Sequence, residues 1–162
     1  MTISLRSHIK NPNILIKIGN RFGTKLLDIT PGPLIYPKVM NFSLEIGLKT
    51  DLKTLPKIKD IYITLLQGDE YREVANKAKE LVVLGKNPVP HFPARSIKNK
   101  NELKEYVTMC KDFGVKQVLV IGGGVQPIGD FHCSLQLFET GLFEGFKVGI
   151  AGHPDGSPDI SD

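Results

Sequence analysis

Long apolar runs are missing from this chain of 162 residues; none approaches the roughly 20 residues a membrane-crossing helix needs, so no membrane span is expected. Cysteine is scarce. The two present, Cys110 and Cys133, have no CxxC spacing and no obvious metal-ligating neighbours, which argues against a metal centre and for free thiols in a reducing cytoplasm. A concentrated charge of one sign is also lacking. The formal charge is +4, and most lysines are interleaved with acids, so the basic residues read as a solvated surface and no nucleic-acid footprint is expected. No internal repeat or low-complexity tract is visible. Acids are absent from residues 1–27, which hold Arg6, Lys10, Lys17, Arg21 and Lys25. That composition touches on a transit peptide, and Ile14, Leu15, Ile16 and Ile18 are too few for a secretory signal. Residues 1–40 therefore read as an N-terminal appendage that packs on the main domain. It ends in the turn-rich linker "TPGPLIYP", residues 30–37.

The remaining composition, 41% apolar and 23% charged, is that of a globular protein with a core. Beyond the linker the pattern becomes regular. Residues 41–46, "NFSLEI", alternate as a strand, and "DIYITLL", residues 60–66, reads as a second. Tyr71, Val74, Ala75, Ala78, Leu81 and Val82 share one face of a helix over 69–84, with Glu73 and Lys77 placed to pair on the other and Gly85 to stop it. "NPVPHF" is a short third strand laced with proline. Asn99 and Glu102 make a capping box for a helix that buries Leu103, Tyr106, Val107 and Cys110 and ends at Gly114. "KQVLVIGGG", residues 116–124, suits a parallel strand covered on both sides. A short helix near 134–140 and a fifth strand over 147–154 follow.

Strand and helix alternating at about 30 residues is α/β logic, compatible with an open parallel sheet or a barrel. In both, ligands bind at the C-terminal ends of the strands. Glu45, Thr64, His91, Gly122–Gly124 and His153 all fall at or just past such ends. The prolines of "PVPHFPARS", residues 88–96, would hold His91 and Arg95 over that edge. Glu45 shares a strand face with Ser43 and Gly47, opposite Leu44 and Ile46. In a barrel that face is the interior, where burial would raise a carboxyl's pKa towards the range of a general acid. The alternative is a rim glutamate paired with a lysine. "IGGGVQPIG", residues 121–129, has the glycines of a phosphate-cradling loop but neither G-x-G-x-x-G spacing nor a G-K-[ST], so a ligand-free turn explains it equally. In "AGHPDGSPD", residues 151–159, Ala151 and Gly152 would let a flat ligand lie against the backbone, with His153 and Asp155 as hydrogen-bonders; an ordinary Asp-Gly loop is the plainer reading.

Taken in order, "FSLEI", "IYIT", "PHFPARS", the glycine loop and "GIAGHPDGSPD" resemble methylenetetrahydrofolate reductase-like proteins, in the bacterial branch with a PHFPARS stretch. The resemblance spans residues 41–160. It implies a (β/α)₈ barrel of which residues 41–162 are the first five βα units, a partial TIM-type barrel from a longer reading frame. It implies FAD at the strand ends, NAD(P)H as reductant, and a folate substrate: 5,10-methylenetetrahydrofolate becomes 5-methyltetrahydrofolate, in one-carbon metabolism and methionine biosynthesis. A homo-oligomer is compatible with it. By the same resemblance Glu45 is the general acid that helps open the methylene bridge. Thr64, His91, Gly123, Gly124, Ala151, Gly152, His153 and Asp155 fall at flavin-contacting positions. Two stretches depart from the family pattern. Gly122–Gly124 stand where many members have Arg-Gly-Asp, and His153–Pro158 where they have Tyr-Pro-Glu-Gly-His-Pro. A non-catalytic flavin- or folate-binding module, or another folate-dependent barrel enzyme such as a methyltransferase, are the competing expectations.

Overall fold

The computed structural model describes residues 43–151. The chain is α/β. Five parallel strands, β1 (Ser43–Ile46), β2 (Asp60–Ile63), β3 (Asn87–Pro93), β4 (Gln117–Ile121) and β5 (Lys147–Ile150), form one sheet in the order 1-2-3-4-5. Three helices lie between them: α1 (Tyr71–Val83), α2 (Lys100–Asp112) and α3 (Ser134–Glu139). Because every crossover moves one strand along in the same direction, crossovers of one hand put all helices on one side. The burial pattern agrees. Leu44, Ile46, Ile61, Ile63, Phe92, Val118 and Val120 are buried in the core that Val74, Ala78, Leu81, Leu103 and Tyr106 complete from the helices. The other face carries Ser43 and Glu45 exposed, Tyr62, Leu119 and Ile121 half-buried, and Val89, His91 and Pro93 of the central strand buried.

The first crossover departs from the expected repeat. Residues 47–59 contain one 3₁₀ turn, Leu52–Thr54, and no α-helix. Thirteen residues are about the minimum for joining parallel neighbours, which leaves no length for a packed helix. The helix over 69–84 forms as the periodicity indicates, ending at Gly85 with φ +71°. Its Glu73–Lys77 pair does not form, because Lys77 Nζ donates to the Thr50 carbonyl at 2.8 Å and ties the first crossover to α1. The box at α2 is also shifted by one residue. Asn99 accepts from the Glu102 N–H as expected, at 3.0 Å, while the Glu102 carboxylate accepts from the Lys98 N–H, at 3.2 Å. Residues 1–42 and 152–162, and with them the expected appendage and the positions Gly152, His153 and Asp155, lie outside the described residues.

β3 shows how a central strand tolerates three prolines. In a parallel ladder successive residues direct their backbone groups to opposite neighbours. The Asn87 N–H donates to Lys59 on the β2 side, so odd-numbered residues face β2 and even-numbered ones face β4. The registered pairing with β2 covers Asn87–Pro90, and that with β4 covers His91–Pro93. Pro88 and Pro90 therefore lack their donors where β4 has not yet begun to pair. Pro93 lacks its donor where β2 has already ended. Each missing N–H falls where no ladder partner waits.

Candidate functional site

The site is built on the helix-free face of the sheet, near its C-terminal edge. Glu45 pairs in register with Tyr62, and Tyr62 with Val89. His91 pairs with Leu119, and Leu119 with Gly149. Alternation thus puts Glu45, Tyr62, His91, Leu119, Gly149 and Ala151 on one face. The Tyr62 and His91 rings meet edge to face, with centroids 6.0 Å apart.

His91 lies within β3 rather than at its end, and its residue is 94% buried. Side chains of β2 and α2 hold this part of β3 in place. Tyr106 of α2 donates its hydroxyl to the His91 carbonyl at 3.2 Å, Phe92 stacks on Tyr106 at 4.0 Å, and Tyr62 closes one side of the ring. Its Nε2 is buried and has no hydrogen-bond partner. Burial lowers its pKa to about 4, so the imidazole is neutral at physiological pH. A neutral ring with a free Nε2 is a hydrogen-bonding group waiting for a partner that the described residues do not supply, and an orphaned buried polar atom of this kind calls for an explanation.

Thr64 sits one residue past β2, half-buried. Its Oγ1 and its backbone N–H both donate to the Ile46 carbonyl, at 3.2 and 3.0 Å. It clamps the ends of β1 and β2 and keeps its hydroxyl lone pairs for a neighbour. Glu45 is on the expected face but is solvent-exposed, so the burial expected of an interior general acid is absent among the described residues. The reason is architectural: among the described residues β1 is an edge strand, paired with β2 alone. Neither does it form the lysine pair of the alternative reading, since the single ion pair among the described residues is Arg72–Glu105.

The glycine loop after β4 is shaped by the loop after β3. Arg95 is the hub. Its N–H donates to Gly122 and its carbonyl accepts from Ile128, both at 3.0 Å. Its Nε donates to the His132 carbonyl at 3.0 Å and its Nη1 to that of Gly123 at 3.3 Å. Arg95 was expected to reach over the strand edge; its guanidinium is instead occupied with backbone carbonyls. Gly123 has φ +93°, and a Cβ there would lie 3.3 Å from Pro93 Cβ. A Cβ at Gly129 would run into the Lys98 carbonyl, beside the point where Asp130 donates to that same oxygen. These glycines answer a close approach between two loops. Gly123 is half-buried, and Gly124 and Ala151 are exposed at the rim.

Tyr62 was not singled out from the sequence. Alternation in "DIYIT" places it on the face of Thr64, and that signal would have found it. Among the described residues no cluster of histidine, cysteine or acid could hold a metal ion, and no helix is long and apolar enough to cross a membrane. Cys110 is buried, which pushes its thiol up to about 12, and Cys133 is exposed; both are free. No protein-family model matches the chain.

Proposed function

We propose that this sheet is the first five strands of a (β/α)₈ barrel of the methylenetetrahydrofolate reductase type. Its function is the reduction of 5,10-methylenetetrahydrofolate to 5-methyltetrahydrofolate, using FAD and NAD(P)H. The observation that carries the reading is His91: a neutral, buried imidazole with an unpartnered Nε2, on the face that also bears Glu45 and Thr64. The sequential strand order and helices on one side suit the barrel.

The residues present fit a flavin. His91 offers Nε2 to a polar atom of a flat ring, Tyr62 gives that ring an aromatic neighbour, and Thr64 retains acceptor capacity. Gly149 and Ala151 leave the β5 side of the face without bulk. When bound, FAD would take hydride from NAD(P)H and deliver it to the folate. The chain's own part is positioning and proton transfer. Glu45, as general acid, would give its proton to the substrate nitrogen as the methylene bridge opens, leaving an electrophilic carbon. Closure of the barrel would bring strands opposite β1 and exclude water around Glu45.

The test is Glu45→Gln, with the two half-reactions timed separately by stopped-flow flavin absorbance. Flavin reduction by the nicotinamide nucleotide persists, and the folate half-reaction falls by about 10²–10⁴-fold, the range for a lost general acid. Equal slowing of both would make Glu45 a flavin-positioning residue, and no slowing would remove it from the chemistry. A second reading, a non-catalytic flavin- or folate-binding module, is favoured by one observation: Glu45 is exposed. It predicts flavin uptake with no folate-dependent reoxidation.

A further inference from the structure

The outward flank of α1 is left bare by the short first crossover. Its other flank is covered by α2, with Arg72 Nε and Nη2 donating to the Glu105 carboxylate at 2.8 and 2.9 Å. On the bare side a groove of about 780 Å³ runs between α1 and the 3₁₀ turn, lined by Leu52, Lys53, Asn76, Lys79, Glu80, Val83 and Leu84. Val83 is 81% exposed and Leu84 55%, side by side at the last turn of α1. Two adjacent apolar side chains at the open end of a groove mark a surface suited to a partner, and no described residue covers them.

We propose that residues 26–29 of this same chain, "LLDI", occupy that groove. Three observations point to this segment. The first is where the chain arrives. Ser43, Asp60 and Asn87 stand in register, so β1 starts at the level of the sheet where α1 runs into β3. Ser43, the first described residue, therefore stands at the level of the Val83–Leu84 end of the groove. The second is reach. Residues 30–42 number 13 and can span roughly 40 Å when extended, so the tether does not limit docking. The third is charge. Asp28 is the sole carboxylate in residues 1–42 and sits among Leu26, Leu27 and Ile29, with Lys25 just before them. The groove offers the complement: apolar Leu52, Val83 and Leu84, the exposed cation Lys53, which forms no ion pair among the described residues, Lys79, whose Nζ lies over the Phe113 ring at 4.9 Å, and the carboxylate of Glu80. Leu26, Leu27 and Ile29 cover the apolar floor, Asp28 meets Lys53, and Lys25 meets Glu80. This proposal does not depend on the flavin reading.

The test is disulfide trapping in the full 162-residue chain. Cys133→Ser removes the exposed native thiol, and buried Cys110 stays inert. Leu27→Cys is then combined with Leu84→Cys or, as a control in the loop past the C-terminal end of β4, with Ile128→Cys. Dilute oxidation and non-reducing peptide mapping should show an intramolecular 27–84 bond forming about a hundredfold faster than 27–128, the advantage of a docked over a freely diffusing tether. Lys53→Glu should slow the 27–84 bond, and Asp28→Lys added to it should restore the rate. Equal trapping of both pairs, or none at 84, overturns the proposal. Bonds formed only between chains overturn it in favour of a second copy as the occupant.

Discussion

The two faces of this sheet are built from the same strands and obey opposite rules. On the helix side, Leu44, Ile61, Ile63, Phe92, Val118 and Val120 are fully or almost fully buried against α1, α2 and neighbouring loops. On the other side Glu45 and Gly149 are exposed and Tyr62 and Leu119 half-buried; burial there is confined to Val89, His91 and Pro93 of the central strand, and His91, the single deeply buried polar side chain among the described residues, lacks a partner. One face is satisfied and supplies stability; the other holds unspent hydrogen-bonding capacity. The difference teaches where to look for function: in the face whose groups are positioned at a cost and left unpaired.

The largest expected effect breaks the satisfied face. Phe92→Ala removes a ring stacked on Tyr106 at 4.0 Å and edge-on to Phe143 at 5.1 Å, and should destabilise by about 3–5 kcal/mol in urea unfolding. The same deletion on the open face, Leu119→Ala, should cost clearly less, because its side chain is only half-buried. Equal losses would mean the open face is packed after all.

The next concerns pH. His91 has its pKa lowered to about 4 by burial, below the ordinary 6.5. Between those values the unfolded chain binds more protons than the folded one, so stability rises with pH across that window and is flat above it. Acidification from 6.5 to 4 should therefore remove up to about 3 kcal/mol attributable to this side chain. His91→Leu should abolish that part of the slope, measured by thermal melts at a series of pH values. An unchanged slope would place the linkage elsewhere.

Gly123→Ala forces an L side chain into φ +93° with its Cβ 3.3 Å from Pro93, and should cost about 1–2 kcal/mol while loosening the loop that Arg95 holds. The smallest effect is that of Glu45→Gln on stability. An exposed, unpaired carboxylate should change it by no more than about 0.5 kcal/mol. A larger loss would give Glu45 a structural partner.

Much of the fold was legible because it is local. The period-2 strands, the 3.6-residue face of α1 and the glycine stops at 85 and 114 each follow from side chains a few residues apart. The sides of the strands were legible too, since alternation alone places Glu45 opposite Leu44 and Ile46. What the sequence left hidden is set by distant neighbours. Lys77 leaves Glu73 for a carbonyl 27 residues away, and Arg95 serves carbonyls across 28 and 37 residues. The missing first helix is a matter of loop length that composition does not report. The exposure of Glu45 depends on what stands opposite β1, which no pattern within residues 41–46 can contain.

The central claim is that the open face binds a flavin through His91. Its most direct test is a titration of FAD into the 162-residue chain, followed by flavin fluorescence and visible absorbance, alongside His91→Leu. The account predicts saturable uptake with a shifted flavin spectrum in the natural chain and weakened uptake in the variant, whose fold near neutral pH is retained. Failure of the natural chain to take up FAD, or identical uptake by the variant, would contradict it.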